Sequence, residues 1–553
     1  MHDGGLLSRD DVTRGEWLLL AAVTLAAAWF RCQSPGGLAV AHFDEGVYAS
    51  NLAAGGPDFA YPMRHLYAPP LWPNVLETWQ TVLPGVSPVW PGVIAGVLSV
   101  PLMWWAARSW YGPAGGLLAA ALLAMSDTHV LFSRTALTDV PMSLLMLAGV
   151  YAAWRATLSR SAAWTVAAGV LAGLAWSAKY NGWLTLAVSG SATAAWWWFE
   201  RAKPEVAALK PLRRWAVVAA VGVAAWLPAL WSVQSAGGYG EVSDNHAQYF
   251  VGPAGWWDAA VTQVRLSQAA AASGTWWPLV LLAGFGALAV RPLGSSAAYF
   301  LASVLGTRLA LVTWLVPVVG TAARSLRNMR AKADTPQPRR LATWMTLAWV
   351  GGLFVAVPLY TPYLRLTVPL VLAGCLAWAD LATRGERSDL TKRSHVLAGL
   401  GLLLAAAAVK QAGLAGEGGR GFLDRSGVAA ASADVATAVT GAYDRRTAGA
   451  GLYVFGEPAF FYHLSELAND EGAKFLPTPA ANMGVLDRRS TDRRLDPFVV
   501  VGPHGLERFA GLEQDERLEE VARWTVPPDI VSRLDAEANA DSSDAEVVLY
   551  RVR

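Results

Sequence analysis

Long apolar segments separated by short polar loops fill the first 410 residues of the chain. Each segment is about as long as a helix that crosses the hydrocarbon core of a bilayer. A further stretch, 296–320, is ambiguous because Arg308 interrupts it, so it crosses twice or not at all. The pattern predicts a mainly α, polytopic transmembrane helical bundle of about 11–13 spans. The predicted spans are 16–31, 89–107, 114–131, 138–154, 162–178, 183–199, 215–233, 276–290, 342–360, 366–382 and 395–410.

Lysine and arginine are concentrated in four of the connecting loops, which indicates that these loops face the cytoplasm. The other loops are poor in basic residues and are expected outside. A cytoplasmic N-terminus satisfies every assignment and puts the tail after about residue 411 outside. The basic residues concerned are Arg155 and Arg160; Arg201, Lys203, Lys210, Arg213 and Arg214; Arg324, Arg327, Arg330, Lys332, Arg339 and Arg340; and Arg384, Arg387, Lys392 and Arg393.

The tail differs in character from the membrane part, 1–411. A Gly-rich linker over 412–427 leads to a polar segment, 428–553, for which we predict a small extracytoplasmic α/β domain. It contains no phosphate-binding loop, metal-ligand spacing or nucleophile elbow. We therefore expect a stabilising or acceptor-docking cap. The predicted strands are Leu452–Phe455, Phe498–Val501 and Val547–Leu549, and the predicted helices are 428–440, 458–468 and 505–523.

Composition supports a membrane protein. Hydrophobic residues make up 54% of the chain and charged residues only 16%, with a mean hydropathy of +0.32, whereas soluble domains carry about 25% charged residues. No cleavable signal peptide is evident, and the Ala, Gly and Trp content suggests a bacterial inner (plasma) membrane protein. Membrane lipids are expected neighbours, and no nucleic acid is expected as a partner.

Two adjacent carboxylates, Asp44 and Glu45, follow the first predicted span. Like charges this close push their pKa values apart, which suits a base beside a binding group. A solvated loop start is the alternative interpretation. The position just outside an apolar segment favours function, because charges there are costly to desolvate.

Further polar residues occur in short loops on the same predicted face. Each has a structural alternative: Arg134 could reach lipid headgroups, Asp139 could cap the next helix, and Lys179 could be an interfacial anchor. Together, acids and cations on one face suit a phosphate-bearing ligand. The loops are Ser133–Asp139, Lys179–Gly182 and Tyr360–Arg365, and Arg64 lies in the first outer loop.

Three motifs resemble those of GT-C glycosyltransferases of the protein O-mannosyltransferase and aminoarabinose transferase group. They are Phe43–Tyr48, Ser133-Arg134 with Asp139 five residues later, and Ala178-Lys179-Tyr180-Asn181-Gly182. Tyr363-Leu364-Arg365 is similar to the family's late outer loop, more loosely. The resemblance covers about residues 15–410, and the tail is similar to that of bacterial members. It implies a GT-C fold and a polyprenyl-phosphate-linked sugar donor.

The resemblance also implies a single inverting displacement at the anomeric carbon, with hexosyl or pentosyl transfer. Asp44 is assigned as general base, and Glu45 orients the acceptor or a partner cation. Arg134 and Lys179 hold the departing phosphate, and Asp139 fixes Arg134 or binds the sugar. Tyr180, Tyr363, Arg365 and Arg64 are the remaining candidates for substrate binding. Nucleotide sugars are cytosolic, so a donor anchored in the bilayer fits an outward-facing site.

The cofactor, the acceptor and the functional class of the protein remain open at this point. His42, His65 and His246 leave room for a divalent metal ion near the acids, although no paired spacing supports one. The acceptor is a protein, a lipid or a glycan. A transporter or flippase of lipid-linked saccharides is the main alternative, although transporters place functional charges near the bilayer midplane. A non-catalytic scaffold would leave the charge cluster unexplained.

Overall fold

The computed structural model describes most of the membrane part and most of the C-terminal tail. The described residues are 12–50, 63–159, 161–201, 210–271, 318–323, 337–383, 393–416, 421–469, 473–480, 495–508, 511, 514–527, 529–535 and 545–553.

The membrane part is a helical bundle around one large apolar core. Ten of the eleven predicted spans coincide with helices, and 276–290, like most of 296–320 with Arg308, lies outside the described residues. The helices are α1 (Arg14–Cys32), α2 (Phe43–Ala49), α3 (Leu71–Val82), α4 (Trp90–Tyr111), α5 (Pro113–Met125), α6 (Asp127–Ser133), α7 (Asp139–Ser159), α8 (Ala162–Ala178), α9 (Leu184–Glu200), α10 (Lys210–Ala236), α11 (Tyr239–Ala247), α12 (Gly252–Ala271), α13 (Gln337–Ala356), α14 (Val368–Ala382) and α15 (Arg393–Ala415).

Within the described residues, five helices are long and apolar enough to cross a membrane by themselves. The pair α5 and α6, bent by 61°, makes a sixth if it is one span. The chain is therefore a multi-pass membrane protein, and the total of 11–13 crossings stays a prediction. The segment predicted as a continuous span over 114–131 is broken at Ser126, whose side chain accepts a hydrogen bond from the His129 amide and starts α6.

Buried cations stabilise this break. A helix end leaves main-chain carbonyls without partners, which is costly away from water. Arg31 donates hydrogen bonds to the carbonyls of Leu123 and Ala124, each over 3.3 Å. Lys410 donates to the carbonyl of Met125 over 3.2 Å and to Asp127 over 2.5 Å. The bend is thus held by side chains from the first and last described helices of the bundle.

The tail forms a five-stranded mixed sheet with helices on both faces. The strand order is β2-β1-β3-β5-β4; β1 pairs in parallel with β2 and β3, whereas β5 is antiparallel to β3 and β4. The predicted α/β class is confirmed. The elements are α16 (Gly427–Ala442), β1 (Gly449–Phe455), α17 (Pro458–Ala468), β2 (Phe475–Ala480), β3 (Leu495–Val501), α18 (Pro503–Arg508), β4 (Leu518–Val526), α19 (Ile530–Arg533) and β5 (Ala545–Val552).

The helix predicted over 505–523 is wrong for most of its length. Helix α18 ends at Arg508, and the chain from Leu518 onward is strand β4. Local propensity suggested a helix, but pairing with β5 at the edge of the sheet overrides it. Strand β2 was also missed, because it contains Pro477 and Pro479; proline fits there since β2 is the opposite edge strand.

The sheet domain is docked tightly on the bundle. Helix α17 packs on α2, where Val40, Ala49, Ala459 and Tyr462 form a small apolar cluster. The described residues of the predicted linker, 412–427, are held at both of its ends: α15 runs to Ala415, and the segment just before α16 packs against the loops that follow α1 and α6.

We predict that Gly46→Ala destabilises this interface. A Cβ at position 46 would overlap the main chain of Pro458 and Ala459, which cannot move without shifting α17. Overpacking of this kind costs about 1–3 kcal/mol. Thermal unfolding of the purified protein in detergent measures the loss. Gly374→Ala is the control, because nothing lies within 4 Å of a Cβ there and alanine suits a helix interior; equal melting temperatures for the two variants would contradict the prediction.

Candidate active site

The first feature of the candidate site is an ion pair between Asp44 and Arg365. Asp44 lies in the first turn of the short helix α2, and Arg365 lies in a 3₁₀ turn, Leu364–Thr367, just before α14. Arg365 Nη1 donates to Asp44 Oδ2, and the two side chains are 16% and 15% exposed. The guanidinium also lies over the ring of Tyr363, 5.0 Å from its centroid. Both groups are held firmly yet accessible.

The second feature is an ion pair between Asp139 and Lys179. Asp139 begins α7, and Lys179 follows the last residue of α8. Lys179 Nζ donates to Asp139 Oδ1; the lysine side chain is 17% exposed and the aspartate 2%. Asp139 Oδ2 is buried without a hydrogen-bond partner among the described residues. Asp139 was predicted to fix Arg134 or to bind the sugar; the first role is corrected, because Asp139 contacts Lys179 instead, and the second stays a prediction.

These two ion pairs form one cluster. Burial raises the pKa of Asp44, but the charges of Arg365 and Lys179 outweigh it and hold that pKa below its usual value. Tyr48 lies beside the same groups, and burial together with the charge of Asp44 raises its pKa. His246 on α11 is also within reach of the charges of Lys179, Asp44 and Arg365. Residues far apart in sequence therefore meet at one end of the bundle.

Glu45 lies outside this cluster. It is fully buried and pairs with Arg425, with Nη2 to Oε2 at 2.6 Å and Nη1 to Oε1 at 3.0 Å. Arg425 also binds Asp529 through two hydrogen bonds of 2.8 Å. The main-chain amides of His42 and Ala136 donate to Glu45 as well. Glu45 was predicted to orient either the acceptor or a partner cation. Its contacts fit the second role, because Arg425 and main-chain amides bind both carboxylate oxygens and neither is left for an acceptor.

Burial and opposite charge act against each other in this triad, and the opposite charges prevail. Burial lowers the pKa of Arg425, but the charges of Asp529 and Glu45 more than compensate and raise it above its usual value. Burial likewise raises the pKa of Asp529, and Arg425 brings it below the usual value. Arg425 and Asp529 are thus ionised at neutral pH.

Arg134 does not join the cluster, which corrects its prediction as a phosphate ligand. Its side chain is fully buried. Nη1 donates to the carbonyls of Arg31 and Gln33 at 2.8 and 2.6 Å, and Nη2 donates to the carbonyl of Leu423 at 2.6 Å. The side chain thus fastens the end of α1 to the segment before α16.

The remaining predicted residues lie at the margin. Tyr180 donates its hydroxyl to the carbonyl of His65, and its ring meets that of His246 at 5.6 Å. Arg64 donates to the carbonyl of Ser50 over 3.3 Å, and Glu77 is the acid acting on it. Tyr180 therefore lines the cluster from the α8 side, whereas Arg64 is not brought into it.

Sequence reasoning missed Arg425, Asp529 and Asp535. Asp535 Oδ2 lies 2.9 Å from Nε2 of His42, across 493 residues of sequence. No local pattern links these residues to the first outer loop. The one available signal was the charged sequence Asp424-Arg425 directly after a Gly-rich stretch.

A metal site is not formed by the residues that the structure describes. Within them, no group of three or more His, Cys, Asp or Glu side chains is arranged to hold a metal ion. Of the three histidines considered, His42 contacts Asp535 and His65 contacts Glu241 over 3.3 Å. His246 packs against Tyr180 instead.

Comparison with known proteins supports the predicted class. Residues 67–233 match the family model of dolichyl-phosphate-mannose-protein mannosyltransferases (PMT). The structure of ArnT from Cupriavidus metallidurans bound to undecaprenyl phosphate is similar over 97% of this chain and 98% of that chain, with 15% identity and a TM-score of 0.53. No curated protein sequence matches the chain significantly.

Two other solved structures are more distantly similar. The S. cerevisiae Pmt1–Pmt2 complex bound to the sugar donor is 20% identical, over 42% of this chain and 35% of that chain, with a TM-score of 0.35. The Archaeoglobus fulgidus oligosaccharyltransferase in complex with Zn and sulfate is 13% identical, over 87% and 67%, with a TM-score of 0.49. Of these three structures, ArnT is the one whose TM-score is above 0.5, and its similarity assigns the fold.

The fold is therefore of the GT-C type. The match to the PMT family adds an independent line of support over the part of the chain that contains Asp139 and Lys179. The resemblance to glycosyltransferases of the protein O-mannosyltransferase and aminoarabinose transferase type, predicted from the motifs, is confirmed.

We predict that Arg425→Met lowers the free energy of unfolding by about 3–5 kcal/mol, since it leaves two buried carboxylates without their cation. The measurement is thermal or denaturant unfolding in detergent. Arg523→Met is the matched control. Arg523 also bridges two acids, Glu520 and Glu546, but all three are substantially exposed, and such pairs contribute about 0–1 kcal/mol. A similar loss in both variants would contradict a special role for the buried triad.

Proposed function

We propose that this protein is a membrane glycosyltransferase that moves a sugar from a polyprenyl-phosphate-linked donor to an acceptor on the extracytoplasmic face of the bacterial inner membrane. The observation that carries the proposal is the pairing of two partly exposed cations with two carboxylates in a single cluster. The predicted orientation of the basic loops puts that cluster on the outer face. The sheet domain, docked on α2, lies on the same side.

Arg365 and Lys179 are the phosphate ligands in this proposal. A phosphate entering the cluster competes with Asp44 and Asp139 for these cations. Arginine offers a fork of donors and lysine a mobile point charge, so both suit an anion whose charge grows as the glycosidic bond breaks. The ArnT structure with undecaprenyl phosphate supports a lipid phosphate as the ligand class.

Asp44 is the general base. While it is paired with Arg365 its pKa is low, so it is ionised but weakly basic. Transfer of Arg365 to the donor phosphate removes the largest charge that lowers this pKa, and Asp44 becomes a stronger base only when donor is bound. Asp139 then serves to hold Lys179 rather than to bind Arg134.

The reaction is a single displacement. The proton of an acceptor hydroxyl or amine passes to Asp44 as the acceptor atom bonds to the anomeric carbon. The bond from that carbon to the phosphate oxygen breaks, and its electron pair leaves with the phosphate, held by Lys179 and Arg365. Attack opposite the leaving group inverts the anomeric configuration.

We predict that Asp44→Asn lowers sugar transfer by at least about 100-fold, because the amide cannot accept the proton. The assay uses purified protein in detergent, with hexosyl and pentosyl prenyl phosphates and a panel of peptide, lipid and glycan acceptors. Glu241→Gln, a change to an exposed acid on α11, is the control and should retain activity. Turnover without a sealed compartment would argue against pure transport, and an active, folded Asp44→Asn protein would exclude Asp44 as the base.

We further predict that Lys179→Gln lowers kcat/KM for the donor by about 10–100-fold, the range expected for one charge-assisted hydrogen bond. Arg64→Gln should leave donor kinetics unchanged, because Arg64 contacts the carbonyl of Ser50 instead of the cluster. Steady-state kinetics with varied donor concentration measure both. Equal losses for the two variants would contradict the assignment of Lys179.

A further inference from the structure

We propose that Asp535, contributed by the sheet domain, is a positioning residue of the active site and acts through His42 on the catalytic carboxylate Asp44. This inference rests on the proposed function for the role of Asp44. It assigns to the C-terminal domain a task beyond stabilisation or acceptor docking: the domain completes the site.

A short chain of hydrogen bonds connects Asp535 to the helix turn that carries Asp44. The Asp44 amide donates to Nδ1 of His42 over 3.1 Å, so Nδ1 carries no proton. The ring must then be protonated on Nε2, which lies 2.9 Å from Asp535 Oδ2 and donates to it. Both side chains are buried, at 6% and 5% exposure. Asp535 thereby selects the tautomer that can cap α2.

The cap determines where Asp44 points. His42 is the N-cap of α2, and Glu45 completes the capping box by accepting from the His42 amide. Helix α2 has only seven residues, so few internal hydrogen bonds hold its first turn. Loss of the His42 contact would leave the Asp44 side chain with more freedom relative to Arg365.

The segment 529–535 is built into the membrane part. The Leu364 amide donates to the carbonyl of Leu534 over 3.2 Å, and Tyr363 and Asp535 form an antiparallel bridge. Val531 and Leu534 belong to the apolar core of the bundle and not to the cores of the sheet domain. One segment therefore contacts both the loop that carries Arg365 and the residue that caps α2.

Electrostatics add a second effect at the same place. Asp535 is among the acids whose charge acts on Arg365, together with Asp44 and Asp139. Its Oδ1 atom is buried without a hydrogen-bond partner among the described residues. The sheet domain is already linked to the bundle by Arg425, which pairs with Glu45 and Asp529. Docking alone therefore does not explain a second buried carboxylate beside His42. The position beside both members of the Asp44–Arg365 pair favours a role in aligning that pair.

The test compares kcat and donor KM for Asp535→Ala, Asp535→Asn, His42→Gln and the double variant D535A/H42Q. We expect Asp535→Ala to lower kcat about 10-fold or more while donor KM stays within about 2-fold, because Lys179 and Arg365 remain. Asp535→Asn should recover much of kcat, since its amide oxygen can accept from Nε2. In the His42→Gln background, Asp535→Ala should lower kcat by a much smaller factor than in the unmodified protein, because only its charge on Arg365 is then lost.

Asp496→Ala is the matched control. Asp496 is equally buried, pairs with Arg551 over 2.8 Å, and lies in the sheet of the same domain, away from α2. It should lower thermal stability with kcat per folded molecule unchanged. Additive effects of the Asp535 and His42 substitutions, or a kcat loss in Asp535→Ala that merely tracks folded protein as in Asp496→Ala, would overturn the proposal.

A measurement without turnover separates this inference from the proposed function. With selective ¹⁵N-histidine labelling, the signal absent from His42→Gln identifies His42. We expect the neutral Nε2-protonated tautomer in the unmodified protein and its loss in Asp535→Ala. If no prenyl-phosphate sugar is turned over, the proposed function fails, and a tautomer unaffected by Asp535→Ala would show separately that the contact is not the determinant.

Discussion

The arrangement of this protein depends on one buried guanidinium. Arg425 lies at the junction of the bundle and the sheet domain, and bridges Glu45, beside the catalytic candidate, to Asp529 of the tail. A buried charge is tolerated only when its partners are complete, so removal of any member leaves an uncompensated ion. The triad therefore makes the position of α2 conditional on correct docking of the C-terminal domain. Gly46 has the same effect sterically, because it admits the main chain of α17 against α2.

The adjacent acids Asp44 and Glu45 illustrate how environment divides two similar groups. Successive residues on a helix point in different directions, by about 100° per residue. Glu45 faces the junction and is saturated by Arg425 and main-chain amides, whereas Asp44 faces the partly exposed cluster and shares one cation. Only the cation of the second pair, Arg365, is partly exposed, and the proposed function requires such exposure for a phosphate to replace Asp44 as its partner. The chemistry is thus set by which side of one short helix each carboxylate occupies.

The predicted elements and the predicted contacts differed in reliability. Apolar length is a local property, and all ten predicted spans that lie within the described residues are helical. The break between α5 and α6 was not predicted, because it depends on Arg31 and Lys410 donating to carbonyls that are distant in sequence. Strand β4 was not predicted either, because it depends on pairing with β5. Asp44 was recognised by its position after the first span, and Asp139, Lys179 and Arg365 by their positions in short loops on the same predicted face. The way these residues pair was not predicted, because the sequence offers both Arg134 and Lys179 as partners for Asp139 until the loops are folded.

The sequence by itself determined that the chain is a multi-pass membrane protein, because hydrophobic length acts through the bilayer residue by residue. Its motifs carried the GT-C resemblance, and the outward orientation of the charged loops stays a prediction from charge asymmetry. Only the tertiary structure decided that Arg365 pairs with Asp44 and that Arg134 bonds to main-chain carbonyls. It also decided that two acids of the tail contact distant residues: Asp529 pairs with Arg425, and Asp535 accepts from His42. Most of those contacts join positions hundreds of residues apart. A hydrogen bond needs its two atoms within about 3 Å, and at such sequence separations only the packing of whole helices and strands brings them that close.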